Sequence, residues 1–538
     1  MVSIEAQCQC SHRTEDIDIL IHRASIKSEG IPDTAERPRL QYEESLVSNY
    51  TDLGAQGLRN ADQRGSTRVA TISSNVIDES VPIQDRLLDI LENVPGHNER
   101  KGFFPRGLLD VLITEKCVKE VLEANLGDTI PPQVIDDLAR KICGATPVHN
   151  ADPPCSSFKK IFVTLVLSER IKAIPLFIAE NVTDDDLPLR KIPLSRPKFF
   201  TLGRRIDSSE PTQDDLTCFG TWTSLDIRKF EEWQWTTLAP FFHPPKHKDV
   251  AHFILSDQIP LPFTEDSRYS DESDEDSIQR RREFDGGYSS VFKVNIHPDH
   301  HAFHTHFNPD QGFAIKRLFS KDRQVFQQEA GTLMKFSGDP HPHLISLLAT
   351  YERFNQFYLV FPWADADLRD YWSKVTPKPS FQHETIMWVA TQCRGIAQGL
   401  LKIHKYESSM SKKSGLLYGR HGDIKPENVL WFRDANREDN MGTLKITDFG
   451  LTEFSKHKCD LEGVPIGRSY DIWTLGCLYL EMVAWLLGGW KLVQSFHNKR
   501  LAVDHLWPDI ESDTFFELVR VKDSNSIAAT VKPAVIEM

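Results

Sequence analysis

The sequence has no excess of basic residues. Of its 538 residues, 63 are lysine or arginine and 77 are aspartate or glutamate, which leaves a formal net charge of −14 at pH 7. Proteins that bind nucleic acid or an anionic membrane surface need a basic face. We therefore expect no nucleic-acid partner and no membrane partner for this chain.

Cysteine is scarce and has no regular spacing. The chain has nine cysteines, and only Cys8 and Cys10 lie close together, with no second pair nearby that would complete a zinc site. We interpret the nine as free thiols in a reducing compartment. The histidine-rich stretch 297–306 also lacks regular ligand spacing, so an exposed insertion is a better interpretation of it than a metal site.

An apolar N-terminal signal is missing, because polar residues such as Glu5 and Arg13 occupy the stretch where its apolar core would lie. The longest apolar run, 472–490, could cross a membrane on length alone. Glu481 interrupts this run, however, and a buried helix of a soluble protein is the better interpretation. We expect a soluble intracellular protein, in the cytoplasm or the nucleus.

The length predicts several parts, since one domain usually takes about 150 residues. Residues 1–80 are polar and without periodicity, and we predict a disordered tail. Residues 81–262 show helical periodicity, with Ile83, Leu87, Leu88 and Leu91 on one helix face and Thr114 as a helix N-cap, and we predict a mostly helical domain of unknown role. Its apolar run 158–167 can be helix or strand. Residues 263–282 mix acidic residues, serines and then three arginines, and we predict a linker; phosphorylation of those serines stays an open alternative.

The stretch with recognisable chemistry is His421-Gly422-Asp423-Ile424-Lys425-Pro426-Glu427-Asn428, followed later by Asp448-Phe449-Gly450. In phosphoryl transfer from a metal-bound nucleotide, one carboxylate accepts a proton from a hydroxyl group, while an amide and a second carboxylate hold Mg²⁺ on the phosphates. The pattern resembles the protein kinase superfamily. Lys425, two residues after Asp423, resembles its serine/threonine branch.

This resemblance implies an α+β, bilobal fold behind the helical domain. The small lobe, over 283–363, would hold an antiparallel sheet. The second lobe, over 364–538, would be mostly helical, with a short C-terminal part. ATP and Mg²⁺ are the cofactors that such a domain uses, and a protein is its substrate.

The resemblance also implies a helix over 325–336, a helix over 385–405 and a buried helix that begins near Ser469, with Asp471 holding the backbone of the catalytic loop. It implies roles for other single residues as well. Asp423 would be the catalytic base, and Lys425 would steady the transferred phosphoryl group. Asn428 and Asp448 would hold Mg²⁺. The residues expected around the nucleotide match the family's glycine-rich loop, its Val-Ala-Ile-Lys strand, its helix glutamate and the walls of its adenine pocket: Gly286, Gly287, Val291, Ala314, Lys316, Glu329, Phe361, Ala364 and Leu430.

Two departures from the family pattern leave the activity open. Gly422 stands where the family has an arginine that pairs with a phosphorylated activation loop, so we expect no switching of that kind. Only 23 positions (471 − 448) separate Asp448 from Asp471, and no Ala-Pro-Glu motif lies between them. Either the domain is divergent, or an internal stretch and a C-terminal tail are missing from the sequence.

Two functions remain after these comparisons of motifs. The first is an ATP-dependent protein serine/threonine kinase, favoured because six polar positions are filled: Lys316, Glu329, Asp423, Lys425, Asn428 and Asp448. The second is a pseudokinase or nucleotide-binding signalling scaffold, favoured by the missing platform for a protein substrate. The sequence indicates no oligomeric state.

Overall fold

The structure, a computed structural model, describes residues 80–94, 96, 102–144, 157–196, 198–205, 216–246, 249–269, 289–303, 311–337, 339–407, 416–434, 441–455, 468–503, 511–520 and 527–537. The predicted disordered tail, except for its last residue, lies outside the described residues. So do Gly286 and Gly287 of the predicted glycine-rich loop, and the larger part of the predicted linker.

Helices dominate the described chain before residue 240, and strands and helices alternate after it. The helices are α1 (Ile83–Asp89), α2 (Arg106–Leu112), α3 (Glu115–Leu126), α4 (Pro132–Cys143), α5 (Lys159–Leu167), α6 (Ile174–Ala179), α7 (Ser224–Gln234), α8 (Arg323–Ser337), α9 (Leu368–Asp370), α10 (His383–His404), α11 (Arg468–Arg500) and α12 (Pro533–Ile536). The strands are β1 (Arg190–Pro193), β2 (Phe200–Gly203), β3 (His252–Ile254), β4 (Phe263–Asp266), β5 (Ser289–Ile296), β6 (Phe313–Leu318), β7 (Ala349–Arg353), β8 (Gln356–Pro362), β9 (Ala366–Asp367), β10 (Tyr406–Glu407), β11 (Leu416–Arg420), β12 (Val429–Phe432), β13 (Thr443–Ile446), β14 (Glu453–Ser455), β15 (Ala502–Val503), β16 (Glu511–Ser512), β17 (Phe516–Arg520) and β18 (Ile527–Val531).

The first structural unit is mostly helical and contains α1 to α7 with the hairpin β1–β2. Thr114 caps α3 as predicted, because its Oγ1 accepts a hydrogen bond from Cys117 N at 3.3 Å. The apolar run 158–167 forms the helix α5, and every side chain from Ile161 to Leu167 is buried. A helix that is buried all round is apolar all round, so periodicity alone cannot assign such a run.

The small lobe is built on a six-stranded sheet with the order β3-β7-β8-β6-β5-β4. Neighbouring strands pair antiparallel, except that β3 and β7 are parallel. The sheet is therefore mixed, and the prediction of a purely antiparallel sheet is wrong at this edge. A three-residue strand is too short to show a period of two, and its direction depends on tertiary pairing that periodicity does not report.

Both edge strands of this sheet come from residues before 283, where the sequence predicts the small lobe to begin. Strand β3 lies in the predicted helical domain, and β4 lies at the start of the predicted linker. The part of the linker that the structure describes, 263–269, is thus strand and turn that belong to the sheet.

In the described part of the histidine-rich stretch, His300, His301 and Phe303 are buried, so the prediction of an exposed insertion is wrong for these residues. His300 is 3% exposed. Its Nδ1 lies 2.9 Å from the carbonyl oxygen of Pro240, and its Nε2 lies 3.2 Å from that of Phe104. Asp299 Oδ2 accepts a hydrogen bond from Gly107 N at the start of α2. These contacts join the small lobe to the helical unit, which explains why the imidazole rings are covered.

The second lobe is built around α10 and α11, with the antiparallel pairs β11–β14 and β12–β13 on it. Its core contains four buried tryptophans, Trp372, Trp388, Trp431 and Trp485. Helix α10 was expected over 385–405 and is observed with nearly the same bounds. This lobe carries the catalytic-loop motif in the turn after β11.

Helix α11 contains the apolar run 472–490. Leu475 and Met482 on one face are buried in the second lobe, whereas Ile472 and Leu487 on another face are exposed. The prediction of a buried helix therefore holds for one face only. Within the part of the chain that the structure describes, α11 is the one helix long and apolar enough to cross a membrane by length and composition.

Candidate active site

One face of the small-lobe sheet meets the second lobe. Lys316 on β6 contacts Asp448 of the second lobe, and Ala314, two residues earlier, shares its face of the strand. Val291 on β5 pairs directly opposite Lys316, and Phe361 on β8 pairs opposite Ala314. These side chains are half-buried, as expected for residues that line a cleft.

The other wall of the cleft comes from the second lobe and from the connection between the lobes. Leu430 on β12 is half-buried, between the paired strands β9 and β13. Ala364 follows β8, and hydrogen bonds hold the chain on both sides of it. Trp363 N donates to Gly312 O at 3.2 Å, and Asp365 N donates to Trp431 O at 3.1 Å. The sequence-predicted adenine-pocket residues that the structure describes thus lie on β5, β6, β8 and β12 and on the connection between the lobes.

Lys316 joins the two lobes electrostatically. Its Nζ lies 2.7 Å from Glu329 Oε1 on α8 and 3.2 Å from Asp448 Oδ1. Asp448 has a left-handed backbone with φ 60° and ψ 75°, a conformation that is uncommon for residues other than glycine and that recurs at functional sites. The helix that carries Glu329 runs from Arg323 to Ser337, close to the predicted 325–336.

The charges of this cluster stabilise one another. Burial alone would lower the pKa of Lys316, but the carboxylates of Glu329 and Asp448 hold that pKa above its ordinary value. Burial alone would raise the pKa of Asp448, but the Lys316 ammonium group holds it below its ordinary value. Lys316 and Asp448 are therefore both charged at neutral pH.

Asp423, Lys425 and Asn428 form a second polar cluster in the catalytic loop. Asp423 Oδ2 accepts hydrogen bonds from Lys425 Nζ at 2.7 Å and from Asn428 Nδ2 at 2.8 Å. Asn428 Nδ2 also donates to the backbone oxygen of Asp423 at 2.9 Å. Burial would lower the pKa of Lys425, but its bond to Asp423 outweighs that effect and raises the pKa. The Asp423 carboxylate is thus held in one orientation.

The backbone of this loop is held by Asp471 at the start of α11. The Asp471 side chain is fully buried. Its Oδ1 accepts from Gly422 N at 2.7 Å, and its Oδ2 accepts from His421 N at 2.7 Å and from His404 Nε2 at 2.8 Å. Burial alone would raise the pKa of Asp471, but these hydrogen bonds hold it below its ordinary value. The sequence pointed to Asp471 as this anchor but not to His404.

His421 connects the catalytic loop to the segment that contains Asp448. Its Nδ1 accepts from Asp423 N at 3.3 Å, so its Nε2 is the donor to Thr447 O at 2.9 Å. Burial lowers the pKa of His421, which agrees with this neutral tautomer. The imidazole ring also meets Phe449 edge-on, with the ring centroids 5.3 Å apart.

Sequence reasoning missed an ion pair beside Gly422. Gly422 has φ +86°, a left-handed conformation that glycine adopts without strain. Two residues earlier, the buried Arg420 pairs with Glu453 on β14 at 2.9 Å. This pair links the strand before the catalytic loop to the strand after Asp448. No motif could have shown it, because the two residues meet only through the pairing of β11 with β14.

Asn428 and Asp448 fit the ligand chemistry of Mg²⁺. Thr447 N donates to Asn428 O at 2.9 Å, which ties the residue before Asp448 to Asn428, and the Asp448 side chain is 46% exposed. Mg²⁺ is usually held by one or two such side chains together with phosphates and water. Groups of three or more histidine, cysteine, aspartate or glutamate side chains that could hold a metal alone are absent among the described residues.

Comparison with known families identifies this region. Residues 286–488 match the family described as protein kinase domain. The chain contains a protein kinase domain. Curated relatives include cyclin-dependent kinase 4 of Ovis aries, Sus scrofa and Bos taurus, each 27% identical over 175 residues that cover 29% of this chain and 50% of the relative. The chain therefore spans about half the length of the curated relatives it matches.

The kinase domain accounts for the two lobes with the cleft between them. Its matched region begins after β3 and β4, so both edge strands of the small-lobe sheet lie outside it. The helical unit from α1 to α7 also lies outside it.

Proposed function

We propose that this protein is an ATP-dependent protein serine/threonine kinase, which transfers the γ-phosphate of ATP to a hydroxyl group of a protein. The observation that supports this most strongly is the position of Lys316, whose Nζ bonds both Glu329 and Asp448. That arrangement aligns the small-lobe lysine with the second lobe, as phosphoryl transfer requires.

Each residue of the catalytic loop has a task in this proposal. Asp423 orients the substrate hydroxyl group and accepts its proton as the oxygen attacks the γ-phosphorus and the bond to the leaving ADP breaks. Lys425, already bonded to Asp423, compensates negative charge on the transferred phosphoryl group. Lys316 binds the α- and β-phosphates, and Glu329 holds Lys316 in position.

Asn428 and Asp448 would hold Mg²⁺. The bound ion would neutralise negative charge on the phosphates. The half-buried side chains of Val291, Ala314 and Leu430 cover the adenine ring. Phe361 closes the back of that pocket, and the backbone of Ala364 binds the adenine edge. Gly286 and Gly287, in the proposed phosphate loop, complete the nucleotide site.

A serine/threonine specificity is supported by Lys425, which stands two residues after Asp423 as in that branch of the family. The substrate is proposed to be a protein, since the domain is a protein kinase domain. We also propose an intracellular location in the cytoplasm or nucleus. Its support is that the described cysteines, Cys117, Cys143, Cys218, Cys393 and Cys477, are free thiols.

A second candidate function is that of a pseudokinase or nucleotide-binding scaffold. The observation that favours it is the short segment between Asp448 and Asp471, which contains no Ala-Pro-Glu motif. Without a platform for the substrate, the cleft would bind a nucleotide and the chain would act through its partners.

The proposed specificity is tested with purified protein, ATP labelled at the γ-phosphate, MgCl₂ and two general acceptor proteins, casein and myelin basic protein. Phosphoamino acid analysis is expected to find label on serine or threonine. Label on tyrosine would contradict the serine/threonine assignment. Mg²⁺-dependent binding of a fluorescent ATP analogue, without label on either acceptor or on the protein itself, would favour the scaffold.

A further inference from the structure

The strand β3 lies upstream of the matched kinase region, yet it contacts the helix that carries Glu329. Val250, just before β3, is buried in the same apolar cluster as Phe326, Ala330 and Leu333 of α8. These contacts come from residues 250–254 (the β3 segment), which precede the matched region 286–488 by more than thirty positions. The segment is therefore an addition of this chain to the kinase lobe.

His252 is the central contact between the β3 segment and α8. Its ring lies 5.3 Å from the ring of Phe326, at an angle of 35°. Phe326 in turn stacks on Phe357 of β8, with the ring centroids 4.5 Å apart and the planes 6° from parallel. His252 Nδ1 lies 2.9 Å from Thr350 Oγ1 on β7, which restricts the rotation of the imidazole ring. Three aromatic rings thus connect β3, α8 and β8.

The geometry of the helix transmits this contact to the active site. Phe326 and Glu329 are three residues apart, so their side chains lie on neighbouring positions of one helix surface. Glu329 Oε1 lies 2.7 Å from Lys316 Nζ. A rotation or shift of α8 that separates Phe326 from His252 would therefore also move Glu329 relative to Lys316.

The β3 segment is itself fixed to the sheet, so it can act as a support. Thr350 N donates to Ala251 O at 2.9 Å, and Leu255 N donates to Glu352 O at 3.0 Å. Glu352 Oε2 lies 2.6 Å from a guanidinium nitrogen of Arg323 in the first turn of α8. Hydrogen bonds thus hold the segment on β7, and β7 holds the start of the helix.

We propose that the β3 segment positions α8 through His252 and Phe326, and thereby keeps Glu329 bonded to Lys316. His252 is a positioning residue in this inference, since it acts on the nucleotide through Phe326, Glu329 and Lys316 in turn. The inference rests on the proposed function, which gives the Lys316–Glu329 pair its task in nucleotide binding.

The test compares matched variants of the full-length chain. His252→Gln removes the ring and keeps a group that can bond Thr350, whereas His252→Phe keeps the ring and removes that bond. Ile254→Ala is the control on the same strand, because the Ile254 side chain is 72% exposed. Phe326→Leu breaks the same ring contact from the helix side, and it keeps the test decisive if His252→Gln does not fold.

Two measurements are made on each variant. The first is hydrogen exchange of the α8 amides, which does not depend on activity. We expect exchange to be about three- to tenfold faster in His252→Gln and Phe326→Leu, the range that loss of one aromatic contact gives, and near wild type in His252→Phe and Ile254→Ala. Unchanged exchange of α8 in both His252→Gln and Phe326→Leu would overturn the inference.

The second measurement is the dissociation constant of a fluorescent ATP analogue with Mg²⁺, in the wild-type background and with Glu329→Gln. We expect His252→Gln to weaken binding about threefold or more in the first background and to have no further effect in the second. Equal weakening in both backgrounds would show a general loss of structure and overturn the inference. If the wild-type protein binds no nucleotide, the proposed function fails, and the exchange measurement still decides the role of the β3 segment.

Discussion

Lys316 is the residue on which the two lobes converge, because its single ammonium group compensates the carboxylates of Glu329 and Asp448. A hydrogen bond that involves a charged group contributes about 1.5–3 kcal/mol. Removal of Lys316 would leave the Glu329 and Asp448 carboxylates without the cation that pairs with both of them.

The variant Lys316→Met tests this role directly. We expect its dissociation constant for an ATP analogue with Mg²⁺ to rise by about 10- to 100-fold, from the loss of about 1.5–3 kcal/mol. Isothermal titration calorimetry is the suitable measurement. Lys321→Met, which removes an exposed lysine from the same lobe, is the control and should bind like wild type. Equal affinities of the two variants would remove Lys316 from the nucleotide site.

Asp471 is the residue that determines the backbone geometry of the catalytic loop. In Asp471→Asn, the amide nitrogen would replace one carboxylate oxygen and would face the backbone N–H of either Gly422 or His421, each of which now donates a hydrogen bond to that carboxylate. We expect a loss of about 2–4 kcal/mol in the free energy of unfolding of the second lobe. Urea denaturation, monitored by tryptophan fluorescence, measures this loss of stability. Asp370→Asn, which removes only an exposed ion pair with Lys374, should cost less than about 0.5 kcal/mol.

The Asp471 carboxylate also predicts how the stability of the second lobe changes with pH. Because the pKa of Asp471 is lower in the folded chain than in the unfolded chain, its contribution to stability is present above about pH 4 and is lost as the pH falls. The stability difference between wild type and Asp471→Asn should therefore narrow as the pH falls below about 4. A stability difference between the two proteins that stays constant down to pH 3 would contradict the lowered pKa of Asp471 in the folded chain.

At the scale of elements, helix α5 begins on a half-buried carboxyl group, that of Asp184. Asp184 Oδ1 accepts a hydrogen bond from Ile161 N at 3.0 Å, and burial raises the pKa of Asp184 to about 6. The folded chain then binds more protons than the unfolded chain between about pH 4 and pH 6. The stability of the helical unit therefore falls as the pH rises through this interval, by on the order of 1–2 kcal/mol given the partial exposure of the group.

The variant Asp184→Asn cannot ionise but keeps an oxygen acceptor for Ile161 N. We expect its melting temperature to stay level between pH 4.5 and 6.5, where that of the wild type decreases. Differential scanning calorimetry at four pH values measures both profiles. Parallel profiles would show that Asp184 does not titrate in this interval in the folded chain.

The sequence predicted the elements that have long periodic or motif-bearing segments. The Glu329 helix, helix α10 and the start of α11 lie within a few residues of their expected bounds, and Thr114 caps α3 as expected. Leu88 was expected on the inner face of α1 but is exposed, because that short helix buries a narrower face than the sequence pattern suggests.

Contacts between distant segments were not predictable from one sequence. Strands β3 and β4 have three and four residues, too few for a recognisable alternation. The covering of His300 by the helical unit and the pairing of Arg420 with Glu453 both depend on how separate elements pack. The candidate site was found because its residues stand in motifs, and its supports were missed because they are distributed over unrelated parts of the chain.

At the scale of the whole molecule, packing contacts and hydrogen bonds join the helical unit to the kinase lobes, in addition to the chain that connects them. The chain between α7 and β5 supplies both edge strands of the small-lobe sheet, and the buried His300 and Asp299 contact the helical unit. The small-lobe sheet of this protein is thus assembled from strands inside and outside the matched kinase region.

The central claim is that this cleft transfers phosphate, with Asp423 as the base. It is tested most directly by the initial rate of label transfer from γ-labelled ATP, measured for wild type and Asp423→Asn at saturating nucleotide. We predict a rate at least about 100-fold lower in the variant, since a positioned general base contributes about 10²–10⁴-fold, with nucleotide affinity nearly unchanged. Equal phosphate incorporation by the two proteins, with nucleotide binding intact, would contradict the claim and show a pseudokinase.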